Sequence, residues 1–380
     1  MSKILLTAEN FAFGPIGKLL TIADLLKKAG HKLVFAGYGT SLQLARSYPI
    51  DEIHEVDTDD PNSKGKLLEL TNKTDVLISA MDLQSVLVAK SLGKPVVYVD
   101  CLFWFWEDIS EGLFDIELYV GERSIIDNKN NENEEKYKLK IKNLLMVPPI
   151  VPVIKKSPRK KQALISYGGG EATHWYQVGR DTNYPSTMTN ILQKHVDWTG
   201  FDRVIVTTGE NILRDLATKF KNSTLEFTTC GSHAGFLEEM SQSEIVLTTC
   251  GLVTTQETFQ SETPLIYLPA SNNSHYILLD ELREQIANLP SVHLADFMDR
   301  LSLRGLSEDV SIPEVMGQLR EVENSSILQE KIGVEINKLV QTRENWSNTS
   351  VKQNKEFLES LGINGAKIVG DKVDKLLKSL

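Results

Sequence analysis

Cysteine is scarce in this sequence. Cys101, Cys230 and Cys250 are the three copies in 380 residues, far apart and in no Cys-x-x-Cys pair. That spacing argues against a disulfide framework or a cysteine-bound zinc, and the count suits a reducing compartment. A surplus of positive charge is also missing. Lys and Arg number 41 against 51 Asp and Glu, a formal net charge of −10, so no nucleic-acid partner is expected. The one dense basic stretch, Lys155 to Lys161, reads as a solvated linker. No run of about 18 apolar residues occurs, so no transmembrane span is expected. The first residues pass from Met-Ser-Lys into a short apolar run and do not read as a signal peptide. These absences make a cytoplasmic location the expectation.

The composition, 41% hydrophobic and 24% charged, is ordinary for a globular protein, and the length suggests two domains. The first half alternates apolar runs with helical periodicity. Strands are predicted at residues 3–6, 33–36, 76–79 and 95–99. Between the first two, Leu19, Leu20, Ile22, Ala23, Leu25 and Leu26 recur at helical spacing, and Gly30 closes that helix. Continuous apolar runs suit strands of a parallel sheet buried on both faces. Strands separated by helices imply right-handed crossovers.

Residues 126–142 are polar and charged and read as an exposed loop or insertion. Prolines 148, 149, 152 and 158 then mark a stiff connection. The second half repeats the alternation, with strands at 163–167, 204–207, 244–248 and 264–268, and the chain from about Ser325 reads as helical. The expected architecture is α/β, two Rossmann-like doubly wound domains facing across a cleft. The expected boundaries are 1–150 for a first domain, 151–161 for a linker, 162–345 for a second domain and 346–380 for a helical tail.

Two segments carry chemistry. Gly168-Gly169-Gly170 follows a strand, where glycines let backbone N–H groups approach a phosphate. It matches neither GxGxxG nor a P-loop, and a tight structural turn is an equal reading. In the second segment a strand ends at Thr248, Gly251 makes a turn, and a helix starts near Val253. Thr254 and Thr255 sit in its first turn, where hydroxyls and free N–H groups can hold phosphate oxygens. Glu257 follows, placed to accept ribose hydroxyls. A polar loop from Ala270 to His275 ends the next strand. In open α/β sheets, ligands collect at the carboxyl ends of strands.

The stretch GLVTTQETFQSETPLIYLPASNNSHY resembles the donor-site segment of GT-B glycosyltransferases, in their MurG-like and UDP-glycosyltransferase branches. ISYGGG is similar to that family's glycine turn, and FGPIGKLLTIADLLKKAGHKLVFAG to its acceptor-side segment. The resemblance implies that Glu257 holds the ribose. It implies that Thr254 and Thr255 hold the diphosphate, with Gly251 in the same donor site, and that Asn273 and His275 touch the sugar. It also implies a metal-independent, inverting transfer from a nucleotide-diphosphate sugar, UDP-linked by family frequency, to a small or amphipathic acceptor. No cofactor or metal is expected beyond that co-substrate. Homo-oligomerisation stays open. His174 and His233 are further donor-side candidates; Phe13, Gly14, Trp104 and Trp106 are acceptor-side ones.

Many UDP-glycosyltransferases carry a catalytic histidine in the loop after the first strand. Here Glu9 to Gly17 contain none. The candidate bases are carboxylates at strand ends, Asp100 first, then Glu9 and Asp82, although each also suits a capping role. Asp57-Thr58-Asp59 has the spacing of a metal-binding pair but reads as a solvated turn. Readings that keep the fold and change the activity are a nucleotide-sugar hydrolase or epimerase and a non-catalytic accessory subunit.

Overall fold

The structure is a computed structural model that describes residues 1–125, 127–170, 183–298, 303 and 306–379. The chain divides into two compact units, Met1–Pro152 with Glu359–Leu380, and Val153–Leu358.

The first unit holds a seven-stranded sheet. Its strands are β1 Lys3–Ala8, β2 Lys32–Gly37, β3 Glu52–Glu55, β4 Val76–Ala80, β5 Val96–Asp100, β6 Leu118–Glu122 and β7 Leu144–Val147, in the order β3-β2-β1-β4-β5-β6-β7. Every pairing is parallel. Side chains alternate between faces, so each central strand feeds two cores. Ile4, Leu6, Ile78 and Val97 pack into one. Leu5, Leu77, Val96 and Tyr98 pack into the other.

Helix α1 (Gly14–Lys28) starts with Pro15 in its first turn, where the missing N–H costs nothing, and it buries Ile16, Leu19, Leu20, Ile22, Ala23 and Leu26. Helices α2 (Gly39–Ala45), α3 (Lys64–Asn72) and α4 (Leu83–Ser91) complete the early crossovers.

The polar stretch expected as an exposed loop is instead largely a helix, α5 (Asp127–Tyr137). Glu132, Glu135 and Lys136 are exposed while Asn130, Asn133 and Tyr137 turn inward. The Tyr137 hydroxyl accepts from the Ile109 amide at 3.0 Å, and the Asn133 amide group donates to the carbonyls of Phe103 and Trp106. Inward residues at 130, 133 and 137 in so polar a stretch escape a composition-based reading.

The second unit has a five-stranded parallel sheet in the order β10-β9-β8-β11-β12. Its strands are β8 Lys160–Ser166, β9 Arg203–Thr207, β10 Glu226–Phe227, β11 Ser243–Thr248 and β12 Leu265–Tyr267. Its helices are α6 Tyr184–His195, α7 Glu210–Lys219, α8 His233–Gln242, α9 Leu252–Ser261, α10 Asn273–Gln285, α11 Glu308–Asn324, α12 Ser326–Gln341 and α13 Arg343–Ser360. The last helix of the chain is α14, Gly365–Ser379.

The final helices are shared out. Residues up to Leu358 belong to the second unit, whereas Glu359 onward belong to the first. In α14 the residues Ala366, Val369, Val373 and Leu377 form one apolar stripe, buried in the same core as α1. Asp374 adds a polar contact there, its Oδ1 3.2 Å from Nε2 of buried His31.

Candidate functional site

In each sheet the strand order reverses once, between β1 and β4 in the first unit and between β8 and β11 in the second. Successive crossovers leave such a point in opposite directions and open a crevice beyond the carboxyl ends of the two strands. Backbone strain gathers near strand ends too. Ala12, Met81 and Cys230, all non-glycine residues, have φ of 50°, 62° and 58° just after β1, β4 and β10. Such conformations persist where surrounding structure enforces them, often at functional edges.

In the second unit the β8–β11 switch point brings together most of the donor-side candidates. Gly168 and Gly170 have φ of +66° and +67°, which side-chain-bearing residues adopt at a cost. The turn is fixed by the Thr208 hydroxyl, which donates to the Gly168 carbonyl at 2.9 Å. Gly169 packs so closely on Gly209 that a Cβ there would lie 2.3 Å from the Gly169 oxygen. Thr208 and Gly209 were not singled out from the sequence; their signal is a Thr-Thr-Gly at the end of β9. His174 lies outside the described residues.

Helix α9 begins at the neighbouring strand. Its N-cap is Gly251, in extended conformation and without a side-chain cap, so the first N–H groups keep their positive potential for a ligand. Thr254 and Glu257 are three residues apart and share a face. Thr255 faces the other way. It is fully buried and receives the Tyr267 hydroxyl at 3.3 Å, so its hydroxyl is committed to the core.

Glu257 is also buried, and its Oε1 lies 2.6 Å from Nε2 of His233. His233 opens α8, whose N-cap Ser232 accepts the Gly235 amide at 3.0 Å. The pairing of these two candidates was not read from the sequence, where they stand 24 positions apart.

Helix α10 supplies the remaining donor-side residues. Asn272 caps it by accepting the His275 amide at 2.9 Å. His275 Nδ1 lies 2.9 Å from the Ser271 hydroxyl. Its Nε2 lies 3.3 Å from where a Cβ on Gly251 would stand, so the imidazole rests against the start of α9. Burial holds the His275 pKa down to about 4, which keeps the ring neutral at physiological pH. Asn273 is 7% exposed, and its buried Oδ1 has no hydrogen-bond partner among the described residues.

In the first unit the β1–β4 switch point carries two of the three candidate bases. Glu9 follows β1, and its amide donates to the Ala80 carbonyl at the end of β4. Burial, then the carboxylates of Asp59 and Asp82, push its pKa up to about 8. Asp82 caps α4, accepting the Ser85 amide at 3.0 Å and the Ser85 hydroxyl at 2.5 Å. Burial raises its pKa as well, against those hydrogen bonds.

The Asp57–Asp59 turn is not merely solvated. Thr58 is buried, and the Asp59 carboxylate accepts the Tyr38 hydroxyl at 2.7 Å. No group of three or more ligating side chains suited to a metal ion occurs among the described residues.

Asp100, the first-ranked candidate base, sits one strand away and is fully enclosed. Its oxygens accept from Tyr119 Oη at 2.5 Å, Trp106 Nε1 at 3.1 Å and the Leu102 amide at 2.9 Å. Burial raises its pKa to about 6 while these donors oppose the rise. Trp106 is thus tied to Asp100, and Trp104 is 3% exposed. Trp104 is thus buried, whereas Trp106 is half-buried and packs against the core around β5. Phe13 is the N-cap of α1 and Gly14 its first residue, both half-buried at the rim of the β1 loop.

Comparison with solved structures places the fold. The chain is similar to Os79 from O. sativa, solved in complex with UDP, with 11% identity and a TM-score of 0.56 over 97% of this chain and 99% of that one. It is similar to HepE of Anabaena, solved with UDP and glucose, with 11% identity and a TM-score of 0.55 over 100% of both chains. It is also similar to the glycosyltransferase VinC, solved with dTDP, with 11% identity and a TM-score of 0.50 over 98% of each chain. The fold is therefore the two-domain α/β fold of the GT-B glycosyltransferases. No family model and no curated protein matches the sequence. No helix among the described residues is long and apolar enough to cross a membrane.

Proposed function

We propose that the protein is an inverting, metal-independent glycosyltransferase that moves a sugar from a UDP-linked donor to a small or amphipathic acceptor. The observation that carries this reading is the uncapped start of α9, with half-buried Thr254 on the same face as the buried, His233-paired Glu257. An anion at that helix start gains from free N–H groups and the helix dipole. A ribose seated against Glu257 places its diphosphate one helical turn away. The UDP found in Os79 and HepE accords with the choice of nucleotide.

The chemistry follows from these parts. An acceptor oxygen attacks the anomeric carbon as the bond from that carbon to the diphosphate oxygen breaks. The bonding pair leaves with the diphosphate, where the start of α9 and the Thr254 hydroxyl stabilise the developing charge. The acceptor proton passes to a general base. Glu9 is the better candidate for it, because it is half-buried at the β1–β4 switch point while Asp100 is fully enclosed one strand away. Gly168 to Gly170 flank the diphosphate, and Asn273 and His275 face the sugar. No cofactor enters this scheme.

A thermal-shift screen against UDP, GDP, dTDP, CDP and ADP, with and without EDTA, tests the reading. A ligand bound to the native state raises the melting temperature. A shift with UDP that survives EDTA and is lost in Glu257→Ala supports it; no shift with any nucleotide sinks it. Product formed from a UDP-sugar only when an acceptor is added separates transfer from hydrolysis.

A further inference from the structure

The chain passes between the two units twice, at Pro152–Val153 and at Leu358–Glu359. On the second unit, one residue holds the chain beside both passages. Glu262 closes α9 in a left-handed conformation, φ 55°. Its Oε2 lies 2.7 Å from Lys156 Nζ, just after the first passage. Its Oε1 lies 2.8 Å from Lys355 Nζ, just before the second. Its carbonyl accepts from the Arg159 guanidinium, whose other nitrogen donates to the Ser243 carbonyl at 2.6 Å. Phe259 of α9 also meets Phe357 of α13 edge-on, with centroids 6.4 Å apart.

The same helix therefore carries Thr254 and Glu257 near its start and, at its end, contacts to the segments beside both passages. It is ten residues long, about 15 Å, and buried along most of its length, so it moves as a rod. We propose that Glu262 is a positioning residue through which α9 couples nucleotide binding to the two passages. Occupancy at the start of α9 raises the free energy of opening that helix, and the segments pinned to its end are then held as well. The pairs are half-exposed, with Lys156 and Lys355 side chains 62% and 47% accessible. Pairs of that kind contribute little to overall stability, which leaves position as their role. This inference rests on the nucleotide site assigned above.

Trypsin reads it directly, because Lys155, Lys156, Arg159, Lys160 and Lys161 lie beside the first passage. Cleavage rates within 155–161 are measured for the full chain with and without saturating UDP, and UDP affinity is measured separately by titration. In the wild type, UDP is expected to slow cleavage at least about threefold. In Glu262→Gln and in Lys355→Met, cleavage without nucleotide rises by a similar factor and the UDP effect disappears, while UDP affinity stays within about twofold. Lys355→Met leaves every cleavage site of the segment in place. Glu262→Gly behaves as Glu262→Gln without a lower melting temperature, since glycine suits the left-handed cap. Wild-type cleavage rates and intact UDP protection in the variants would overturn the coupling. Failure of UDP, dTDP and GDP to shift the wild-type melting temperature would instead overturn the nucleotide site, and the coupling with it. The nucleotide-free rates would then still show whether Glu262 holds both segments.

Discussion

Nε2 of His233 lies 2.6 Å from Oε1 of Glu257, and both side chains are almost wholly buried. A buried hydrogen bond to a carboxylate fixes the rotamers of both partners, so the remaining carboxylate oxygen points in one direction. His233→Ala is expected to cost about 2 kcal/mol of stability, as the buried carboxylate loses a charge-assisted bond. It should weaken UDP binding less than Glu257→Ala does, which removes the ribose acceptor itself. Denaturant midpoints and UDP titrations on the two variants separate these effects.

Glu9 gives a pH signature. Its folded pKa is raised to about 8, so the native state holds a proton that the unfolded chain has released. Its contribution is fully present below the ordinary carboxylate range and is lost as pH rises towards 8, with a slope of up to about 1.4 kcal/mol per pH unit. Glu9→Gln should remove that slope and be more stable than the wild type at pH 8. Transfer, which needs the carboxylate, should rise with pH to a plateau above about 8 in the wild type and fall to background in the variant. A rate plateau already reached at pH 5 would exclude Glu9 as the base.

Asp100 is expected to behave as a core residue. Asp100→Asn keeps one acceptor oxygen for the Leu102 amide but turns an NH2 group, itself a donor, toward the Tyr119 hydroxyl and Trp106 Nε1, and should lower stability by about 2–3 kcal/mol. UDP affinity should stay unchanged. If the variant instead keeps its melting temperature and loses turnover, the order of the two candidate bases reverses.

The buried pair of Lys18 and Glu122, 2.8 Å apart and at most 1% exposed, ties α1 to β6. Lys18 Nζ also donates to the Ile150 carbonyl, and Glu122 accepts the Ile150 amide. Lys18→Met strands a buried carboxylate and is expected to cost about 3–5 kcal/mol. Adding Glu122→Gln should recover part of that loss. A double-mutant cycle in urea measures it.

The parallel sheets were legible because Ile4 to Leu6, Val76 to Ile78 and Ile245 to Leu247 are runs without alternation, which only two-sided burial explains. Helix α5 was not, because its buried asparagines and one tyrosine look like loop composition. The donor-side segment was legible as a string of residue types, but not the direction of each side chain. Thr255 turns into the core while Thr254, its neighbour, does not, a difference set by the helical period and by Tyr267. The sequence shows that aromatic residues follow Asp100 but not that Trp106 folds back onto its oxygens. The effect of Asp59 on Glu9 comes from topology, which brings the turn after β3 towards the end of β1, and a linear sequence does not show it.

Helix α14 has a consequence for how the molecule is made. The second unit is one continuous stretch, Val153–Leu358, whereas the first is assembled from both ends of the chain. During synthesis, residues 1–152 emerge before the stripe of Ala366, Val369, Val373 and Leu377 that packs into their core, and the whole second unit is made in between. Until that stripe emerges, the apolar face of α1 is open to chaperones and to other nascent chains.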